Sequence, residues 1–228
     1  MDGFGEVLRG LDWSVPIRLL LSVLPALICI TLHECAHGYA AYRLGDDTAK
    51  RAGRLTLNPI KHIDIVGLIM LVTLHFGWAK PVPVNMNRFK DPKQGMALTA
   101  AAGPLANLLI TILVLFIYGL LFYPLSRSQA GDYVLQTVYI TAYLSLTLAI
   151  FNIIPIPPLD GSKVLYSFIS ERSYRKLMYY ERYGMLALLL VLLMNRLPVD
   201  PLSAAANWVF DRLFFFAELG FGLVRLFI

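Results

Sequence analysis

Two histidines and a glutamate lie within five residues of one apolar stretch, as His33-Glu34-Cys35-Ala36-His37. On an α-helix, His33 and His37 lie about 40° apart on the same face, so both imidazoles can bind one metal ion. Glu34 lies about 60° from His37, where its carboxylate can take a proton from a water molecule that the metal activates. This H-E-x-x-H pattern indicates zinc-dependent hydrolysis with Glu34 as the general base.

The alternative is a helix whose two histidines bond only to the backbone or to neighbouring side chains. Three ionisable groups within five residues are expensive in hydrocarbon, and a purely structural role does not offset that cost. The whole chain has only 4 His, so the spacing is not a by-product of abundance. The metal-binding interpretation is therefore the stronger of the two.

The composition is that of a membrane protein. Of 228 residues, 57% are hydrophobic and only 15% charged, against about 25% charged in a soluble domain, and the mean hydropathy is +0.63. The net charge of +5 comes without a basic patch interleaved with aromatics, so we expect the lipid bilayer as a partner and no nucleic acid. The polar N-terminus and the long first apolar run predict no cleavable signal peptide.

The two cysteines are interpreted as small apolar residues of a buried helix. Cys29 and Cys35 point about 240° apart on one helix, so they cannot form a disulfide. Cys35 lies about 200° from His33 and is a poor ligand for the same ion.

Long apolar runs predict an all-α polytopic membrane protein with about 5–6 transmembrane helices. The predicted runs are 17–42, 96–122, 133–154 and 183–197, with 203–228 either a span or an amphipathic interfacial helix. The run 63–76 is shorter than the about 20 residues that a span needs and fits a re-entrant or interfacial segment. We expect one membrane-embedded domain over 1–228, with a core at 16–165 and C-terminal helices at 166–228.

Two β-like segments are predicted close to the histidines. Segment 53–58 alternates like a short strand, and the prolines of segment 77–85 forbid a helix and favour an extended edge. Non-helical backbone at membrane depth is tolerated only where protein covers it or where it lines a water-filled cavity. Either segment can capture an unwound substrate by strand addition or simply plug the cavity, and the sequence leaves both alternatives open.

The distribution of basic residues predicts the orientation in the membrane. Loops 43–61, 80–93 and 163–182 are rich in Lys and Arg, whereas loop 124–132 is poor in them. Because basic loops face the cytoplasm, this pattern places the C-terminal end of the histidine helix and Asp160 near the cytoplasmic face.

Catalytic zinc needs three protein ligands and one open position, so a third ligand must come from outside the motif. The metzincin pattern is excluded, because Ala40 and Arg43 stand where its glycine and third histidine would be. A thermolysin-type glutamate is not in place either, since no Glu follows Glu34 before Glu171.

Asp160 is the best candidate for the third ligand. It follows a proline-stiffened stretch and precedes a glycine, although an aspartate in a plain turn is equally expected there. The rival ligands are Asp46, Asp47, Asp64, His62 and His75. His62 and Asp64 are expected to face water or headgroups, and His75 to lie at the membrane interface.

Three motifs together resemble the site-2 protease family of intramembrane zinc metalloproteases, peptidase family M50. They are the His33 to His37 motif, the stretch Gly103-Pro104-Leu105-Ala106-Asn107, and the stretch from Asn152 to Gly161. Segment 77–85 also looks like the family's stretch between its first two core spans. The resemblance covers about residues 16–165.

The resemblance implies that His33, His37 and Asp160 bind one zinc ion per chain and that Glu34 activates the water. It implies that Asn152 lies by the site in a position to engage a transmembrane-helix substrate. The chain is similar to the compact members, without room for a PDZ module, and a prokaryotic plasma membrane is expected. It departs from the family in showing no span before the histidine helix. Asn107 is expected to bond across helices as part of their packing rather than to catalyse.

Two other classes of function are weighed against a protease. A zinc or proton transporter usually shows internal repeats and midplane sites shared between broken helices, and neither a repeat nor a chain of intramembrane carboxylates is evident here. A non-catalytic membrane chaperone usually has a broken motif, whereas His33, Glu34 and His37 are intact. The sequence therefore predicts a zinc endopeptidase that acts within or near transmembrane segments, either on signal-peptide remnants or on membrane-anchored regulators.

Overall fold

The computed structural model describes residues 14–74, 78–170, 173, 176, 183–184 and 201–227, and in them the fold is helical. The eight α-helices of this part are α1 (Ser14–Arg43), α2 (Thr48–Arg51), α3 (Ile65–Leu74), α4 (Pro92–Leu125), α5 (Gln129–Ile153), α6 (Asp160–Tyr166), α7 (Pro201–Leu213) and α8 (Phe215–Arg225). Short 3₁₀ helices cover Pro59–His62 and Met86–Arg88. The only β-pairing among the described residues is an isolated bridge between Ile63 and Ala79. The mostly helical fold is confirmed.

Two helices, α4 and α5, are long and apolar enough to cross a membrane. Helix α4 has 34 residues, a length of about 50 Å, against about 30 Å of hydrocarbon. Its start is fixed by Asp91, whose side chain accepts hydrogen bonds from two N–H groups of the first turn. Helix α5 starts in the same way, with Ser128 as the accepting cap. These helices contain the predicted run 96–122 and all but the last residue of the run 133–154.

Helix α1 carries the H-E-x-x-H motif and packs against α4 and α5. It has 30 residues and continues through Pro25. Its buried side includes Cys29, which has no exposed surface and whose Sγ lies 3.5 Å from the carbonyl oxygen of Thr141 on α5. The predicted helix at 17–42 therefore lies within an observed one, and it borders both of the long apolar helices.

The described part of the C-terminal stretch 203–228, which is expected to be one span or one interfacial helix, forms two helices that meet at Phe214. With 13 and 11 residues, each is shorter than the about 20 residues that a span needs. Helix α8 lies directly on α4, where a Cβ on Gly119 would come within 2.0 Å of the carbonyl oxygen of Ala217. Together with α7, it completes a core whose buried members are Leu115, Ala142, Leu146, Phe210 and Ala217.

Helix α3 covers most of the short run 63–76. Its 10 residues extend about 15 Å, half of the hydrocarbon thickness, so this helix is too short to span. The predicted helix 183–197, apart from 183–184, and His75 lie outside the described residues.

The strand expected at 53–58 is wrong, because the chain makes bends at 55–57. Gly53, with φ +64°, turns the chain directly after α2. The carbonyl of Thr56 then points back to the Sγ of Cys35, 2.8 Å away, instead of to a neighbouring strand. Segment 78–85, by contrast, is free of helix as predicted and is joined to the preceding chain by the N–H of Lys80, which donates to His62 O at 2.9 Å.

Candidate metal centre

Three predicted ligand atoms converge between α1 and α6. The Nε2 atoms of His33 and His37 lie 3.0 Å apart, and each lies 3.1 Å from Oδ2 of Asp160. The two histidines are 7% and 8% exposed, and the Asp160 side chain is 13% exposed. The structure thus brings together residues that are far apart in the sequence, at a buried point with one acidic and two imidazole donors.

The donor set fits a zinc ion. Nδ1 of His37 lies 2.7 Å from the carbonyl oxygen of Thr99, so Nδ1 carries the hydrogen and Nε2 presents a lone pair. Oδ2 of Asp160 is buried and accepts no hydrogen bond from the described residues. A lone pair and a carboxylate oxygen facing each other at 3.1 Å call for a cation between them. Tetrahedral zinc with ordinary bond lengths places its ligand atoms about 3.3–3.5 Å apart, close to the observed distances.

Gly103 allows α4 to lie directly against both imidazole rings. A Cβ at this position would come within 2.5 Å of Nε2 of His37 and within 2.6 Å of Cε1 of His33. One turn further along α4, the amide Nδ2 of Asn107 lies 3.1 Å from Nδ1 of His33. Asn107 does bond across helices, as expected, but its partner is a predicted metal ligand.

Asp160 is positioned by the close contact between the end of α5 and the start of α6. A Cβ on Gly161 would come within 2.1 Å of the carbonyl oxygen of Ile153, so only glycine allows this approach. The buried Ser162 donates its hydroxyl to the carbonyl of Leu159 at 2.7 Å. This compact turn holds the carboxylate at the first residue of α6, facing α1.

Glu34 lies beside the cluster and is half-buried. Its Oε2 accepts a hydrogen bond of 2.8 Å from the backbone N–H of Val82 in segment 78–85. Glu34, Asn152 and the three clustered residues all line one cavity of about 360 Å³. The Nδ2 of Asn152 donates to the carbonyl of Leu148 one turn back at 3.0 Å. All five predicted site residues therefore face the same space.

The rival aspartates are held by local partners away from this cavity. Oδ2 of Asp46 accepts from the N–H of Asn85 at 2.6 Å. Asp47 pairs with Arg51 at 2.6 Å, and Asp64 accepts a backbone N–H in the first turn of α3 at 2.9 Å. None of the three lies in the cluster of possible metal ligands found among the described residues.

Asp46 is the anchor between the end of α1 and segment 78–85, and its side chain has no exposed surface. Burial by itself raises the pKa of this carboxyl group. The hydrogen bonds from Thr48 and from the N–H of Asn85, with the guanidinium of Arg88 nearby, outweigh burial and lower the pKa below its usual value. The carboxylate is thus ionised at neutral pH.

His62 was expected to face water or headgroups, and this expectation is wrong. The side chain is only 2% exposed, because its Nε2 lies 2.8 Å from the carbonyl of Thr56. Cys35 reaches the same carbonyl and, like Cys29, is a free thiol. Nε2 of His62 also lies 3.8 Å from Sγ of Cys35, so this side chain packs the stretch after α2 against α1. His62 is not in the cluster of possible metal ligands found among the described residues.

The sequence did not predict three contacts of the site, and in two of them the contacting group belongs to the backbone, so that no residue type indicates it. The N–H of Val82 and the carbonyl of Thr99 belong to the backbone, so their roles follow only from the fold. Asn107 was visible in the motif that starts at Gly103, four residues earlier. That spacing is one helical turn, which indicates a shared face but not the partner.

Several known proteins are similar in sequence to this chain over most of its length. The model of peptidase family M50 matches residues 122–195. YwhC of Bacillus subtilis, named as a candidate zinc metalloprotease, is 38% identical over 188 residues, which are 82% of this chain and 83% of YwhC. Rip2 of Mycobacterium tuberculosis, named in the same way, is 29% identical over 81% of this chain and 71% of its own length. No solved structure shows a significant match. The chain therefore belongs to peptidase family M50, the site-2 protease family, and is a zinc metalloprotease.

Proposed function

We propose that this chain is an intramembrane zinc endopeptidase, which hydrolyses peptide bonds within or near the transmembrane segments of membrane-anchored proteins. In this proposal His33, His37 and Asp160 hold the zinc, Glu34 is the general base and Asn152 contacts the substrate. The observation that carries the proposal is the single cavity onto which all five side chains open. Helix α4, which is apolar and long enough to cross a membrane, contributes part of its wall.

Zinc, when bound at this site, supplies a water molecule that ionises near neutral pH and an electrophile for the peptide carbonyl. Glu34 takes the proton of the attacking water and returns it to the leaving amine. The N–H of Val82 holds Oε2 of Glu34 at 2.8 Å, so the carboxylate is already oriented before substrate arrives. The carboxylate of Asp160 adds one negative charge to a donor set whose other two members are neutral imidazoles.

The proposed substrate is a transmembrane helix that must unwind locally, because a helix hides its peptide bonds in its own hydrogen bonds. Segment 78–85 borders the cavity where such an unwound stretch would lie. Three of its N–H groups already donate within the protein, and Pro81 and Pro83 have none. Because these backbone groups are unable to pair with a substrate strand, they favour a role for the segment in lining the cavity over capture of substrate by strand addition.

We further propose a multi-pass protein of a prokaryotic plasma membrane, with the site near the cytoplasmic face. The family is membrane-embedded, and the two apolar helices fit that character. Basic residues follow the end of α1, on the side of the metal centre, whereas the turn between α4 and α5 carries a single Arg127. By the positive-inside rule, the end of α1 is the cytoplasmic one.

The decisive experiment compares purified wild-type protein with Glu34→Gln and His33→Ala on a panel of single-span membrane substrates, with zinc counted in each. We expect about one zinc in the wild type and in Glu34→Gln, cleavage by the wild type alone, and loss of both zinc and cleavage in His33→Ala. Glu218→Gln, an exposed site on α8, is the matched control and should cleave normally. Cleavage by Glu34→Gln at the wild-type rate would refute the assigned base. Zinc transport into liposomes without any cleavage would favour a transporter.

A further inference from the structure

Asn107 is a fully buried polar side chain beside the metal centre. It has no exposed surface, and its Nδ2 lies 3.1 Å from Nδ1 of His33. Its backbone carbonyl accepts the hydroxyl of Thr111 at 2.9 Å and the hydroxyl of Ser145 on α5 at 2.8 Å. These bonds join the backbone of α4 at Asn107 to α5, and the side-chain amide itself is fully buried against the ring of His33.

The two nitrogens of His33 cannot be assigned independently. If Nε2 presents its lone pair to a metal, then Nδ1 carries the hydrogen and needs a hydrogen-bond acceptor. The amide nitrogen of Asn107 is a donor and cannot serve. The amide oxygen can, and Oδ1 of Asn107 has no hydrogen-bond partner among the described residues. A half-turn of the amide about its last bond exchanges the two atoms without changing the volume filled.

We propose that Asn107 is a positioning residue for the zinc site, whose Oδ1 accepts the Nδ1 hydrogen of His33. This bond selects the tautomer that presents Nε2 to the metal and fixes the plane of the ring. The inference rests on the proposed function, in which His33 is a zinc ligand. Thr99 does the same for His37 through its carbonyl, 2.7 Å from Nδ1. Helix α4 thus orients both imidazoles of α1, one by backbone and one by side chain.

The side-chain partner makes the idea testable, because a backbone carbonyl cannot be removed by substitution. Asn107→Leu has the same number and branching of side-chain heavy atoms but no acceptor. Asn107→Asp has the same shape and only acceptors, which suit an Nδ1 hydrogen. A role in packing alone would tolerate leucine better than a buried carboxylate, whereas the proposed role predicts the opposite order for zinc affinity.

The experiment measures zinc affinity by competition with a chelator, and the absorption spectrum of the cobalt-substituted protein, for wild type, both Asn107 variants and Thr141→Val. Thr141 is a buried residue of α5 whose hydroxyl bonds to Thr137 one turn back, so its variant controls for the loss of a buried polar group. Removing such an outer partner of a histidine ligand typically weakens metal binding by about 10- to 100-fold. We expect that loss in Asn107→Leu, with a changed cobalt spectrum, and near wild-type affinity in Asn107→Asp and Thr141→Val.

Zinc affinity in Asn107→Leu equal to that of Thr141→Val would overturn the inference, and so would a larger loss in Asn107→Asp than in Asn107→Leu. Either result, together with normal zinc binding by the wild type, leaves the proposed metal site in place. Wild-type protein that binds no zinc would instead refute the metal site itself, and the role of Asn107 with it. Measuring all four proteins together separates the two failures.

Discussion

The backbone N–H of Val82 donates a hydrogen bond of 2.8 Å to Oε2 of Glu34, across 48 positions of sequence. Val82 lies in a segment without helix between Pro81 and Pro83, and because proline has no N–H, Val82 supplies the only backbone donor of these three residues. Val82 itself is buried. A hydrogen bond from a buried donor to a carboxylate is among the stronger ones in proteins, so it fixes the carboxylate that we assign as the base.

Replacing Val82 by proline should lower kcat by about 10- to 100-fold while leaving the zinc content unchanged, because one hydrogen bond to a charged group is lost. The extended chain and its prolines suit another proline at this position. Val82→Ala keeps the N–H and is the matched control, with most of the activity expected to remain. An equal loss of kcat in Val82→Ala would show that the side chain, rather than the N–H, supports Glu34.

Gly103→Ala should weaken zinc binding, because the new methyl group would overlap the ring of His37 at 2.5 Å. Gly119→Ala provides a matched clash on the same helix, at 2.0 Å from the carbonyl of Ala217 and far from the site in sequence. Both variants should lose about 1–3 kcal/mol of stability through overpacking, but only Gly103→Ala should lose zinc on dialysis. Thermal melting and zinc analysis of the two proteins test this difference. Equal zinc contents would argue against the contact with the histidine rings.

Asp46→Asn should lower the stability of the protein at pH 7 by about 1–3 kcal/mol, because buried donors lose a charged acceptor. The folded-state pKa of Asp46 lies below its usual value of 3.8. The carboxylate therefore stabilises the fold fully above that pH, and this contribution is lost as the pH falls through the lowered pKa. The difference in melting temperature between wild type and Asp46→Asn should be constant from pH 7 to about 5 and should shrink below about 4.

Asp47→Asn is the control for that titration, because the Asp47 side chain is 34% exposed and pairs with the partly exposed Arg51 and Arg88, and each such surface ion pair contributes at most about 1 kcal/mol. Its effect on the melting temperature at pH 7 should be small. A wild-type advantage over Asp46→Asn that grows on acidification would contradict the assigned direction of the pKa shift.

Removal of zinc should lower the melting temperature of the wild type, because the proposed ligands join α1 to α6 and binding favours the folded state. Asp160→Asn has the same shape but lacks the charge, so we expect weaker zinc binding and a smaller response to chelator. Differential scanning of both proteins with and without chelator measures this. A chelator effect of the same size in Asp160→Asn would exclude Asp160 from the ligand set.

The helices that could be predicted are those whose signal is local. Runs of apolar residues foretell α4 and α5, because length and hydrophobicity alone decide whether a helix suits a membrane. The division of the C-terminal stretch at Phe214 depends instead on the contact of α8 with Gly119. The missing strand after Gly53 depends likewise on which groups take the carbonyl of Thr56.

The site shows the same division between local and distant information. His33, Glu34 and His37 share one helix, so their spacing predicts their common face. Asp160 is distant in sequence, and although it was the best candidate for the third ligand, a plain turn aspartate was equally expected there until the family resemblance supported the ligand role. The burial of His62 followed from a distant backbone carbonyl, which no pattern of side chains indicates.

Two hydrogen bonds hold segment 78–85 on either side of Val82. The N–H of Lys80 donates to the carbonyl of His62, and the N–H of Asn85 donates to Oδ2 of Asp46. Val82, which donates to Glu34, lies between these two residues. The two hydrogen bonds at the ends of the segment therefore set the position of the N–H that orients the proposed general base. Catalysis at the proposed site would then respond to mutation or acidification at Asp46, which holds one end of the segment. A chimaera that exchanges this segment between relatives would need to exchange its partners at positions 46 and 62 as well. Otherwise the N–H of residue 82 would be displaced from Glu34.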